Sequence, residues 1–228
     1  MILNMYNCEK FSVDLNSEIA VLEIQPTEIF KSVIHDLKFT ELPARECAIF
    51  YNDKQITASE ILVLYDFINF DWQNKNLIAK IYKHLDNEIK FKIESFDLYQ
   101  KSLHNLKTAV FDLISDVNID FKSDDEIDIK SIFSVFGIKP IFDNDNLLES
   151  LLQFLNVVAE LKLYKVIALV HVKSYLNNEE LAILYNHALH CQIGLILLES
   201  NHAEKMISNE KKLFIDSDFC DIVYTSNH

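Results

Sequence analysis

Glycine is almost missing from this chain: Gly137 and Gly194 are the only two in 228 residues. Glycine-rich loops let a backbone wrap around phosphates, so a nucleotide site of the usual form cannot be built here. Arginine is scarcer still, with Arg45 alone among 21 basic residues. The guanidinium fork is the commonest reader of guanine edges, so any nucleic-acid contact is expected to ignore base sequence. Codon usage in an AT-rich genome accounts equally well for both scarcities. The four cysteines, Cys8, Cys47, Cys191 and Cys220, form no C-x-x-C pair. That spacing suits reduced, partly buried thiols better than a disulfide or zinc framework. No stretch approaches the roughly 18 apolar residues of a membrane helix. The beginning, MILNMYNCEKFSVDL, has no basic region leading into a long apolar run. Neither spanning nor secretion is expected, and the expected location is cytoplasmic.

What is present is a globular composition, 50% hydrophobic, under a formal net charge of −14. Such a chain can bury a sizeable core as one large domain or two small ones. FSVDL and IAVLEIQ read as short strands. Pro26 then opens PTEIFKSVIHDLKF, with Thr27 expected as the cap and Ile29, Phe30, Val33, Ile34 and Leu37 at helical spacing. AIFYNDKQIT is expected as a strand or hairpin arm, and ASEILVLYDFIN as a helix. From Asp71 to Val117 the pattern is helical, broken near FKIES, with NLIAKIYKHLDNEI and YQKSLHNLKTAVFDLISDV as two amphipathic helices. EIDIKSIFSVFGI is a further helix closed by Gly137 and Pro140, and NLLESLLQFLNVVAELKLY a long one. VIALVHV and IGLILLES, apolar on both faces, flank the helical NNEELAILYNHALHCQ and make a βαβ unit. DIVYTS is a candidate last strand. The expected fold is α/β: a head with a partly parallel sheet, residues 1–66 and 141–228, and an inserted helical arm, residues 67–140.

Each candidate motif competes with a plainer explanation. After IAVLEIQ, Lys31 and Ser32 occupy the last two positions of a phosphate-binding loop, but Gln25 and Phe30 stand where its glycines belong. Phe30 is therefore expected in the core. His187, His190 and Cys191 share one helix and could face a metal if a fourth ligand came from elsewhere, yet Leu181, Leu184 and Ala188 mark that helix as a core element. No hydrolase or protease arrangement is present, so an enzymatic role has no support.

Charge is distributed unevenly. Asp116, Asn118, Asp120 and Asp124 fit the first, third, fifth and ninth places of a twelve-residue calcium loop, but Phe121 replaces its glycine and Ile127 its bidentate glutamate. Residues 112–128 still carry Asp112, Asp116, Asp120, Asp124, Asp125, Glu126 and Asp128 against Lys122 alone, a net of −6. This is either a solvated acidic cap at a helix start or a calcium or magnesium site. Between residues 75 and 107 the balance reverses. Lys75, Lys80, Lys83, Lys90, Lys92, Lys101 and Lys107 face only Asp86, Glu88, Glu94 and Asp97, a net of +3. These lysines form either a solvated helix surface or a local positive field that symmetry could concentrate.

ASEILVLYDFINFDWQNKNLIAKIYKHLDNEI, DDEIDIKSIFSVFGIK and LYKVIALVHVKSYLNNEELAILYNHALHCQIGLILLES, in this order and spacing, resemble the Csn-type proteins of type II-A CRISPR loci, products of the second csn gene. The resemblance implies an α/β head with a helical arm and a ring-shaped homotetramer. It implies calcium near the acidic segment, with Asp120, Asp124, Asp125, Glu126 and Asp128 as the ligand candidates. It further implies double-stranded DNA threaded from a free end through a lysine-lined hole, and partnership with the adaptation integrase and effector nuclease. No membrane association and no enzymatic step are implied.

Overall fold

The computed structural model describes residues 1–5, 8, 10–39, 47–51, 53–67, 70–71, 74–90, 93–122, 129–141 and 146–226, with backbone alone at 90 and 93–95. The chain divides into two compact units, one made of Met1–Trp72 and Phe142–His228, the other of Gln73–Ile141.

The first unit carries two sheets. Six strands, β3 (Ile19–Ile24), β6 (Ile61–Leu64), β7 (Val166–Val170), β8 (Gly194–Glu199), β9 (Glu210–Ile215) and β10 (Asp221–Thr225), form one in the order β10-β9-β3-β8-β7-β6. All neighbours in it are parallel except the β9–β10 hairpin. The smaller sheet is antiparallel, β2-β1-β4-β5, from β1 (Ile2–Met5), β2 (Phe11–Ser12), β4 (Cys47–Tyr51) and β5 (Lys54–Gln55). Helix α1 (Thr27–Lys38) follows β3, and α5 (Leu147–Glu160) and α6 (Asn178–His190) bracket β7.

Side chains alternate across a strand, and here both sets are buried, as a sheet covered on both faces requires. Ala20, Leu22, Ile24, Ala168, Val170, Ile196 and Leu198 join Val33 and Leu37 of α1 and Leu3, Phe11 and Ile49 of the small sheet in one core. Ile19, Val21, Ile167, Leu169, Leu195 and Leu197 point the other way, where α6 packs on β8 and α5 on α6. Each fully buried Leu, Ile or Phe contributes about 1.5–3 kcal/mol by leaving water. The expected βαβ unit is present, with β7 and β8 paired in parallel from Val166↔Gly194 to Val170↔Leu198. Gly194 is needed there, since a Cβ would come within 3.1 Å of Val166 Cγ2 and 3.3 Å of the Lys165 carbonyl oxygen. Leu181, Leu184 and Ala188 are buried as the helical spacing anticipates. Asn177 caps α6, accepting from the Glu179 and Glu180 N–H groups while Glu180 accepts from the Asn177 N–H.

Two expectations fail. ASEILVLYDFIN is not a helix: Ile61–Leu64 is an edge strand, in register with β7 from Ile61↔Val166 to Leu64↔Leu169. A four-residue apolar run fits either period, and pairing with β7 decided it. Thr27 is also not the cap. Pro26 holds that position without a side-chain hydrogen bond, and Thr27 is the first helical residue. Strands β1 and β9 were not anticipated.

The second unit consists, among the described residues, of α2 (Lys75–Lys90), α3 (Ile93–Ile114) and α4 (Ile129–Val135). Gly137, at φ +62, closes α4: its N–H donates to the Ser134 carbonyl and the Ile138 N–H to that of Phe133. That double bond pattern needs a left-handed residue, which glycine adopts without a steric penalty.

Candidate nucleic-acid interface and acidic segment

Leu77, Ile81 and Asp86 are the buried positions of α2 among the described residues. At 3.6 residues per turn, Lys75, Lys80 and Lys83 span an arc of roughly 140° that leaves out Leu77 and Ile81, with Asp86 falling between Lys75 and Lys83. Lys75 and Lys83 are exposed and Lys80 is half-buried. Burial pushes the Lys80 ammonium below the usual lysine value. On α3, Lys101 is exposed and Lys107 half-buried. Six residues apart, they point roughly 120° away from each other around the helix. The Lys90 side chain and Lys92 lie outside the described residues. The basic excess read from local composition thus resolves into one shared face on α2 and two divergent positions on α3.

Helix α4 is attached to that lysine-bearing helix. The Tyr82 ring packs on Phe133, with centroids 5.4 Å apart, and its hydroxyl donates to the Ile138 carbonyl at 2.7 Å. Asp86, 4% exposed, meets Lys130 Nζ at 3.5 Å. The acidic run therefore lies between the end of α3 and a helix fixed on α2. Asp112, Asp116 and Asp120 are exposed. Asp124, Asp125, Glu126 and Asp128 fall outside the described residues, so of the five calcium candidates only Asp120 is placed. Among the described residues no three His, Cys, Asp or Glu side chains converge to hold a metal. His187 Nε2 instead bonds to Asn156 Oδ1 of α5 at 2.9 Å, and Cys191 Sγ lies 3.9 Å from the same oxygen.

The place after β3 where a phosphate loop would sit is filled. Phe30 packs against the core and stacks on His171 at 5.1 Å between centroids, and Lys31 pairs with Glu28 at 3.0 Å in solvent. Beneath them is a buried group of charges that sequence reasoning did not find: Glu23, Lys173, Glu199, Glu210 and Lys212. These residues are scattered through the chain, and the one local signal was a pair of glutamates ending otherwise apolar strands. The cysteines are free thiols, and burial above all pushes Cys47 up to about 12, which leaves it unreactive.

Fold and charge layout together define an α/β protein with an inserted helical unit whose exposed surface carries segregated basic and acidic segments. Residues 44–219 match the family of CRISPR-associated proteins described as Cas_Csn2. That span is well over half of the chain, and the protein belongs to this family. A curated relative, CRISPR-associated protein Csn2 of Streptococcus agalactiae, is 22% identical over 188 residues, covering 80% of this chain and 82% of the relative. The crystal structure of Stu0660 of Streptococcus thermophilus superposes with a TM-score of 0.56 at 13% identity, covering 95% of this chain and 75% of the other. The latter likeness is one of fold. No helix among the described residues is long and apolar enough to cross a membrane.

Proposed function

We propose that this protein binds double-stranded DNA at free ends without regard to base sequence, as a calcium-stabilised homotetrameric ring, and thereby supports spacer acquisition in type II-A CRISPR immunity. Membership of the CRISPR-associated family supplies the setting. The observation that carries the DNA contact is the arc of α2 bearing Lys75, Lys80 and Lys83, which leaves out Leu77 and Ile81 and contains one carboxylate, the buried Asp86, itself paired with Lys130. Lysine contacts to phosphates release condensed counterions, giving affinity that disregards sequence and falls steeply with salt. Repeating that face by symmetry around a hole would gather enough positive charge to overcome the net −14.

Calcium is structural in this account, held by carboxylates of the 120–128 segment. Oxygen-rich clusters suit such a hard ion, and its charge would relieve their mutual repulsion. Since α4 begins directly after the segment and is anchored to α2 by Tyr82 and Lys130, an ion held by the segment acts on the helix that carries the lysines. The protein works in the cytoplasm beside the adaptation integrase and the effector nuclease, and performs no enzymatic step itself.

A second reading draws on exposed apolar side chains of the helical unit, among them Leu98, Leu113, Val135, Phe136 and Ile141. Exposed apolar surface marks protein contacts, and a protein-binding adaptor would use it without threading DNA. Gel shifts with a linear duplex and a closed circle of the same sequence separate the two. A ring binds the linear form and spares the circle; equal binding to both, or none to either, overturns threading. Sedimentation with calcium and with chelator tests the metal: an unchanged mass and unchanged duplex affinity would remove calcium from the account.

A further inference from the structure

In the α/β unit Glu23, Glu199 and Glu210 are 0%, 5% and 1% exposed, and Lys212 is 1% exposed. Lys212 Nζ lies 2.9 Å from Glu23 Oε1, and Lys173 Nζ lies 2.7 Å from Glu210 Oε1 and 3.7 Å from Glu23 Oε1. The Tyr185 hydroxyl of α6 donates to Glu210 Oε1 at 2.8 Å, and the Ile207 N–H donates to Glu210 Oε2 at 3.2 Å. Two carboxylates thus meet two ammonium groups. Glu199 is a third carboxylate with no lysine of its own. Its Oε1 accepts from the Lys173 backbone N–H at 3.0 Å, and its Oε2 lies 3.6 Å from His171 Nδ1.

Counted against the lysines, three carboxylates meet two ammonium groups, with the imidazoles of His202 beside Glu23 and His171 beside Glu199, and an uncompensated buried charge is costly. A single proton on Glu199 offsets the surplus carboxylate. Burial, reinforced by the charges of Glu23 and Glu210 and opposed by Lys173, pushes Glu199 up to about 7. Burial and the same carboxylates push the Tyr185 hydroxyl far up, so it stays a donor.

Two peripheral segments are seated on this group. In the loop before β9, His202 Nδ1 lies 2.8 Å from Glu23 Oε2, its ring stacked on Phe214 at 4.1 Å, and the Ala203 N–H donates to the same oxygen at 3.1 Å. The Ala203 carbonyl accepts from Lys212 Nζ. After β7, His171 adopts a left-handed backbone, φ 59 and ψ 28, unusual for a residue with a Cβ and sustained only where surroundings impose it. Its ring stacks on Phe30 and faces Glu199.

We propose that the Glu199–His171 pair, with the Glu23–Glu210–Lys173–Lys212 group behind it, is a proton-operated clasp on the α/β unit. With Glu199 protonated, the remaining two carboxylates match the two lysines, and the group holds the 171–176 turn and the 200–209 loop against the ends of β3 and β8. When that proton passes to solvent, the surplus negative charge loosens both segments. This device is independent of the DNA contact proposed for α2.

Hydrogen exchange on the full chain between about pH 4.5 and pH 8, corrected for intrinsic rates, tests it. The expected result is a protection loss of about tenfold at the Lys173 and Ala203 amides as pH rises, with Leu22 and Leu197 unchanged. Glu199→Gln, neutral at every pH, should hold both reporter amides flat. Flat protection at both amides in the wild type, or an undiminished slope in Glu199→Gln, overturns the clasp. Should that variant not fold, urea denaturation of the wild type decides: a midpoint falling between pH 4.5 and about 7 supports the clasp, and a level midpoint overturns it.

Discussion

Lys212 and Lys83 are the same side chain under opposite rules. Lys212 lies 1% exposed between strands, its ammonium 2.9 Å from Glu23. Lys83 stands in solvent on α2. In the first unit charge is a packing problem solved by pairing, so each ion exists only because its partner does. In the second, Asp86 and Lys130 repeat that pairing, while Lys75, Lys83 and Lys101 are exposed, where charge contributes little to stability and can meet a polyanion.

Substitution tests that contrast most strongly at these two lysines. Lys212→Met removes the nearest ammonium from buried Glu23, leaving Lys173 at 3.7 Å, and should cost about 3 kcal/mol in urea denaturation. Lys83→Met should stay within about 0.5 kcal/mol of wild type; comparable losses at both would erase the distinction. For binding the order inverts. Combined Lys75→Glu, Lys80→Glu and Lys83→Glu should weaken linear-duplex affinity by about a hundredfold and flatten its salt dependence, read by fluorescence anisotropy across a salt series. Lys75→Glu and Lys83→Glu at exposed positions should hardly move fold stability, so any loss in the triple variant falls to half-buried Lys80.

Smaller effects sharpen the picture within each unit. Tyr82→Phe keeps the contact with Phe133 but removes the donor to the Ile138 carbonyl, and should cost about 1 kcal/mol by chemical denaturation. If α4 transmits the state of the acidic segment to α2, the same variant should weaken the calcium dependence of DNA binding. Smallest is the acid response at Glu60. Its ion pair with Lys165, then the Thr57 N–H, lower its carboxyl from 4.5 to about 2. A lowered folded value means stability present above the ordinary value and lost as pH falls toward about 2. Glu60→Gln should therefore be slightly less stable at neutral pH and indistinguishable from wild type at the acid end. Glu199 has the opposite sense: raised from 4.5 to about 7, it favours the fold fully below 4.5 and loses that contribution as pH climbs to about 7.

Much of the α/β unit was legible because its strongest elements repeat one signal over many residues. VIALVHV and IGLILLES could only be doubly covered strands, and the thirteen residues of α6 show the helical period without interruption. Gly137 closes α4 as its position anticipates. Strand β6 was misread because ILVL is too short for either period to win locally. Lys211 and Lys212 are adjacent in β9, yet one is paired with Glu18 near the surface and the other is sealed inside. Alternation predicts that they diverge but not that a charged side chain takes the inner place. On the candidate site, composition located the lysines in one stretch, while helix phase put Lys75, Lys80 and Lys83 together and sent Lys101 and Lys107 apart.

By itself the sequence determined the α/β class, the βαβ unit, the blocked phosphate loop and the segregation of lysines from carboxylates, since each depends on neighbours within a few turns or strands. Only tertiary structure decided that Ile61–Leu64 is a strand, that α4 is bound to α2, and that Glu23, Lys173, Glu199, Glu210 and Lys212 share one buried volume. Those outcomes depend on groups brought together from distant parts of the chain, where desolvation and pairing, neither of them written in any local pattern, set the energy.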